Sequence, residues 1–222
     1  ALPIYIPVLC TLCMLSSATS ALEDYRGAAR DMLATMVSHR TVAGYNQVVP
    51  LNRQLAEQML AGGFAEDDVH VIQTEPEVSS IVVRFRGDGS GGRPVLLVSH
   101  IDVVDAVGDE WTSDPFTLTE KDGYLYGRGT LDNKAAAAAQ LISFLRLRAE
   151  GFVPTRDFVL LITGDEETTG NAAAAILRDY RQLVDAEYAL NGDAGGVRTT
   201  DAGARYVVQL AEKSYYDFAM TT

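Results

Sequence analysis

The spacing of apolar and polar positions divides the chain into helical and extended stretches. Tyr25, Ala28, Met32, Leu33 and Met36 recur three or four residues apart, which predicts a helix within a largely helical stretch from Leu22 to Gly62. A loop with Gly44 and Pro50 interrupts it, a second helix runs from Leu51 to Leu60, and Ala61-Gly62-Gly63 stops that helix. Extended segments follow. Val69 to Ile72 is short and β-branched, Ile81 to Phe85 alternates partway, and Pro94 to Val98 is apolar enough for a buried strand. After a polar stretch with Trp111, Pro115 and Gly123, Leu131 to Glu150 reads as a long helix with Ala135 to Ala139 as strong formers. Phe158 to Thr163 and Tyr188 to Asn191 read as strands, and Asn171 to Tyr180 as a helix between them. Arg205 to Leu210 and Ser214 to Met220 read as further strands. Strands alternating with helices predict an α/β fold, a sheet covered on both faces.

Residues 1–22 do not belong to this pattern. They carry no charge, and the apolar run from Leu2 to Leu15 leads into Ser16-Ser17-Ala18-Thr19-Ser20-Ala21. An apolar run followed by small residues is the pattern of a secretory leader and its cleavage site. The expectation is a signal peptide over 1–21, a secreted or periplasmic location, and no stable membrane span once the leader is removed, because the run is short of the roughly 20 residues a span requires. Both cysteines, Cys10 and Cys13, lie in that leader, so the mature chain needs no disulfide.

The formal net charge of −12 changes the picture in one respect. A nucleic-acid partner is excluded, because binding one takes a basic face and no Lys/Arg cluster exists. Acidity is compatible with carboxylates gathered around cations, although most of the 30 acidic residues must be solvated surface.

The candidate chemistry follows the buried strands. Ligands of open α/β sheets gather at the carboxyl ends of the strands. Here Val95 to Val98 leads into Ser99-His100-Ile101-Asp102, and Val159 to Ile162 into Thr163-Gly164-Asp165-Glu166-Glu167. Tyr188 to Leu190 leads into Asn191-Gly192-Asp193, and a fourth polar block, Gly127 to Lys134, opens the long helix. Each block alone reads more simply as a solvated loop, a helix cap or a turn. Together they deliver one imidazole and several carboxylates to one rim, where carboxylates repel unless a cation binds them. His with Asp and Glu is a ligand mix that suits zinc, and carboxylate-rich sites also take manganese or cobalt. A serine hydrolase is disfavoured by the lack of a Gly-x-Ser-x-Gly elbow, and a nucleotide-binding fold by the lack of a phosphate-cradling glycine loop.

Four ordered blocks, SHIDVV, GRGTLDNK, GDEETTG and NGD, carry a family resemblance. From about Leu22 onward the chain resembles the co-catalytic zinc peptidase family that includes glutamate carboxypeptidase, aminoacylase, acetylornithine deacetylase and succinyl-diaminopimelate desuccinylase. The resemblance implies a three-layer α/β/α sandwich around a mixed, largely parallel sheet. It implies two zinc ions, with cobalt or manganese as substitutes, and hydrolysis of an amide or peptide bond by the water they activate. His100 and Asp193 would bind one zinc, Glu167 the other, and Asp132 would bridge both, with a cis peptide bond to Asn133. Asp102 would hydrogen-bond the His100 imidazole, and Glu166 would be the general base. The substrate would be a small peptide or an N-acyl amino acid.

Two departures stand out. Ala135 replaces a usual Gly, and no His follows His100 although the family's last zinc ligand is a late His. The resemblance therefore implies a catalytic domain over 22–212 that lacks its C-terminal part. Residues 213–222 would begin a lid domain through which the full-length parent would form a homodimer. The competing expectation is a truncated, non-catalytic relative that only binds metal or peptide. His39, His70 and Trp111 are read as structural.

Overall fold

The computed structural model describes residues 25–193, 196–208 and 210. The leader expected over 1–21, both cysteines, the strand expected over 214–220 and the lid expected from 213 lie outside them.

Residues 25–38 form helix α1, which buries Met32, Leu33, Met36 and Val37. Its last turn is closed by side chains, as Ser38 Oγ and the His39 imidazole Nδ1 both donate to Thr35 O at 2.8 Å. Such bonds occupy carbonyls that the helix itself leaves unpaired. Helix α2, Val48–Ala61, buries Val48, Leu51, Asn52, Leu55, Ala56 and Met59, the spacing of one helical face. Pro50 lies in its first turn, not in the preceding loop as expected. Amides there have no intrahelical partner, so a proline costs the helix nothing. Gly62 and Gly63 close α2 as expected, with Gly63 at φ +89.

Strands β1, Val69–Glu75, and β2, Val78–Phe85, form an antiparallel pair. β3, Val95–His100, follows, and then a small hairpin of β4, Thr119–Lys121, and β5, Tyr124–Tyr126. Helix α3 spans Lys134–Ala149 and begins three residues later than expected. Leu131, taken as its first apolar position, is 91% exposed, and the block before Lys134 is a turn with Thr130 N donating to Gly127 O. β6, Phe158–Thr163, is followed by helices α4, Asn171–Asp179, and α5, Arg181–Val184, and then by β7, Tyr188–Asn191. An exposed hairpin pairs β8, Gly196–Thr200, with β9, Gly203–Val207, so the strand expected over Arg205 to Leu210 starts and ends earlier.

The main sheet has the order β1-β2-β6-β3-β7. β3 is parallel to β6 and to β7, while β2 is antiparallel to β1 and to β6. The sheet is thus mixed, with parallel pairing confined to the half that carries the polar blocks. Successive residues of β6 face opposite sides. Leu160 and Ile162 pack under α1, α2 and α3, whereas Val159 and Leu161 pack with Ile176 of α4 and Val184. Burial on both faces explains the unbroken apolar run of this central strand. Among the described residues no helix is long and apolar enough to cross a membrane.

One ion pair ties the sheet's lower edge together. Arg84 donates to Asp157 Oδ2 at 2.8 Å and to Leu183 O at 3.0 Å, and Asp157 Oδ1 accepts from Gly87 N at 2.8 Å. Burial alone would raise the Asp157 carboxyl, but the Gly87 amide and the Arg84 guanidinium outweigh it and hold it below the usual carboxylate range. Its contribution is therefore present above the unfolded carboxyl's value of about 4 and is lost as the pH falls through the lower folded value. Asp157→Asn is expected to cost about 1.5–3 kcal/mol at pH 7 in urea unfolding, with the gap to wild type closing below about pH 4. A gap that stays constant down to pH 3 would contradict this.

Candidate metal centre

Parallel pairing brings the carboxyl ends of β3, β6 and β7 to one edge. His100 is the last residue of β3 and lies opposite Thr163 in the ladder. Ile101 N donates to Thr163 O at 3.0 Å, so both strands leave the sheet together. At the other neighbour, Gly192 N donates to Val98 O at 3.1 Å and places Asp193 beside them. The fourth segment, residues 127–133, is anchored by Arg128 N to Pro115 O at 2.6 Å. It brings Asp132 in from the start of α3, and the Asp132–Asn133 peptide is cis.

The loop after β6 turns at Gly164, where a Cβ would run into Val48 Cγ1 and the Ser79 carbonyl. Asp165 then locks the loop. Its buried carboxylate accepts from Thr169 Oγ1 at 2.9 Å and from Ala172 N at 3.0 Å, which ties the loop to the first turn of α4. Glu166 and Glu167 are thereby held over the edge of the sheet.

All the expected side chains meet. His100 is buried, and its Nε2 stands 2.9 Å from Asp132 Oδ1, 3.5 Å from Asp193 Oδ2 and 3.8 Å from Glu166 Oε2. Two groups of ligand atoms lie within 4.8 Å of one another, His100 with Asp132 and Glu167, and His100 with Glu166 and Asp193. His100 belongs to both. Asp132 and Glu166 have side chains 58% and 52% exposed, so the cluster opens to solvent over a buried base.

Asp102 differs in detail from the expectation. The nearer partner of His100 Nδ1 is the Asp102 backbone oxygen at 3.0 Å, while the carboxylate Oδ1 stands at 3.5 Å. Oδ2 accepts from Glu167 N at 2.8 Å, so this carboxylate links the imidazole to the Glu-Glu loop. Two residues given no role beforehand also take part. Asn133, buried, donates from Nδ2 to Asp193 Oδ1 at 2.9 Å, and Lys134 is fully buried behind it. His39 and His70 bond to Thr35 O and Asp67 O and join neither group. Trp111 lies under the Arg128 guanidinium, 5.3 Å from its ring centre.

Electrostatics follow from this crowding. Burial opposes a charged His100, but Asp102 and then Asp193 outweigh it and push its pKa up to about 9. Burial, with Asp193, Glu167 and Asp102 nearby, raises the Glu166 carboxyl despite His100. Burial and then Asp132 raise Glu167 in the same way. Burial pushes Lys134 down to about 7 against the pull of Asp102. Among the described residues no Lys or Arg forms an ion pair with Asp132, Glu166, Glu167 or Asp193. Four carboxylates that converge on one imidazole, with no Lys or Arg paired to them, fit divalent cations as ligands.

The sequence profile of peptidase family M20/M25/M40 matches residues 96–215, more than half of the chain. The chain belongs to this peptidase family. All four polar blocks fall inside the matched stretch. Human N-fatty-acyl-amino acid synthase/hydrolase PM20D1 is 37% identical over 100 residues, 45% of this chain and 20% of that protein. A probable succinyl-diaminopimelate desuccinylase of Staphylococcus epidermidis is 41% identical over 128 residues, 57% of this chain and 30% of that protein. The chain thus spans less than a third of the length of these curated relatives. Among solved structures, the Saccharomyces cerevisiae di-peptidase Dug1p superposes with a TM-score of 0.68 at 21% identity, covering 84% of this chain and 42% of that one. The M20 family metallo-carboxypeptidase Sso-CP2 of Sulfolobus solfataricus gives 0.64 at 21% identity, covering 75% and 37%. At this identity the likeness speaks for the M20 catalytic-domain fold alone.

Proposed function

We propose that the protein containing this chain hydrolyses an amide or peptide bond, as an exopeptidase or carboxypeptidase or as an N-acyl-amino-acid hydrolase, with two zinc ions held at the carboxyl edge of the sheet. The observation that carries the reading is the pair of overlapping ligand groups that share His100. His100 and Asp193 would hold one ion and Glu167 the other, with Asp132 a ligand to both. Bound there, zinc, or cobalt or manganese in its place, would supply Lewis acidity toward the scissile carbonyl and acidify the attacking water. Glu166 takes the proton from that water and returns it to the leaving nitrogen. Asp102 orients His100 and the Glu166-Glu167 loop, and Asn133 orients Asp193.

Family membership supports a metal-dependent hydrolase, and the names of the relatives support the substrate class. They include an N-fatty-acyl-amino acid synthase/hydrolase, a probable carboxypeptidase and a probable desuccinylase. Export to a secreted or periplasmic compartment and a homodimeric parent remain part of the proposal, resting on the sequence alone.

The test uses the full-length protein with dipeptides and N-acyl amino acids. Chelation is expected to abolish turnover, and added zinc to restore it. Zinc binding without turnover on any of these substrates would favour the non-catalytic alternative, and turnover that survives complete metal removal would refute the reading.

A further inference from the structure

Lys134 exposes 0% of its surface. Burying an ammonium is costly unless it is paired. Among the described residues no carboxylate forms an ion pair with Lys134. Its Nζ donates instead to Met36 O at 2.8 Å and His39 O at 2.9 Å. These carbonyls belong to the C-terminal end of α1, where the helix dipole favours a cation. Space for the side chain comes from Gly129 at φ +91, where a Cβ would stand 2.8 Å from Lys134 Cδ and 3.1 Å from Val103 Cγ1.

The same short segment grips a second part of the site. Thr41, fully buried, donates from Oγ1 to Ile101 O at 2.5 Å, and its carbonyl accepts from Val103 N at 3.1 Å. Residues 36–41 are therefore fastened on one side to the exit of β3, which carries His100 and Asp102. On the other side they are fastened to the residue two positions after Asp132. The 2.9 Å contact of His100 with Asp132 thus lies between two segments that residues 36–41 hold from behind, beside the bond from Ser99 Oγ to Gln140 Oε1 of α3 at 2.9 Å.

We propose that Lys134 is a positioning residue that sets the spacing of His100 and Asp132 through the end of α1, with Thr41 as the opposite arm of the same clamp. The proposal rests on the metal reading above. It predicts that the clamp acts on metal affinity beyond its share in holding the fold together.

The experiment measures the zinc Kd of the full-length protein by competition with a chromophoric chelator, beside its urea unfolding midpoint. The variants are Lys134→Met, which keeps length and loses all donors, and Thr41→Val, which loses only the hydroxyl. Leu55→Ala, a buried α2 core position that makes none of the clamp's hydrogen bonds, is the reference for lost stability. Lys134→Met is expected to weaken zinc binding by about 10–100-fold, the range for residues that orient metal ligands. Thr41→Val should shift it in the same direction by less, and Leu55→Ala should leave it within about twofold of wild type. If Lys134→Met does not fold, the Thr41→Val comparison with Leu55→Ala decides alone. Wild-type zinc affinity in the clamp variants, or an equal loss in Leu55→Ala, overturns the proposal by itself. A wild-type protein that takes up no zinc overturns the metal reading and this proposal with it.

Discussion

Glu166→Gln is expected to retain its metal and to lose turnover by about 10³- to 10⁴-fold, near the upper end of what a positioned general base contributes. Gln matches Glu in size and hydrogen-bonding reach but cannot take a proton. Burial and the neighbouring carboxylates raise the Glu166 carboxyl above its ordinary value, toward the range where a base is effective near neutral pH. The geometry also sets up the rival outcome. Glu166 Oε2 stands 3.8 Å from His100 Nε2 and groups with Asp193 at ligand distance. If it binds metal, the Gln variant loses one ion along with its activity. Metal content measured beside kcat separates the two roles, and near-normal turnover would leave Glu166 with neither.

Asp132→Ala should strip both ions, whereas Asp193→Ala should strip only the one on the His100 side. Asp132 Oδ1 lies against His100 Nε2 and groups with Glu167, so in the proposed two-ion site its removal would take a ligand from both ions at once. Asp193 groups with His100 and Glu166 alone. Metal per chain by elemental analysis should therefore fall to near none in the first variant and to about half in the second. Hydrolysis should drop to the uncatalysed background in Asp132→Ala. Equal metal loss in the two variants would argue against a bridging Asp132.

How much of this could be read beforehand follows from what each residue does. β6 and β7 were legible to the residue because an apolar run bounded by polar blocks leaves little choice of limits. The β4–β5 hairpin was not, since its strands are three residues long and mostly exposed, although Asp122-Gly123 with φ +54 and +78 is a strong hairpin turn. α5 is a single turn of helix, too short to show a period. The candidate metal-site residues stood out because each follows a strand or opens a helix. Asn133, Asp165 and Lys134 did not, because their partners are set by the fold. Lys134 bonds to Met36 across 98 positions of sequence, which no local spacing reveals.

Among the described residues β7 is an edge strand of the sheet, held by its ladder to β3, and Tyr188 and Leu190 on it are exposed. Yet it leads into Asp193, to which Asn133 donates from the start of α3. A cation seated between Asp193 and His100 would therefore fasten the rim of the sheet to its interior. By thermodynamic linkage, ordering this strand and loading the ion reinforce each other. The margin of the sheet would then gain cohesion as the protein is charged with metal, on top of what its ladder supplies.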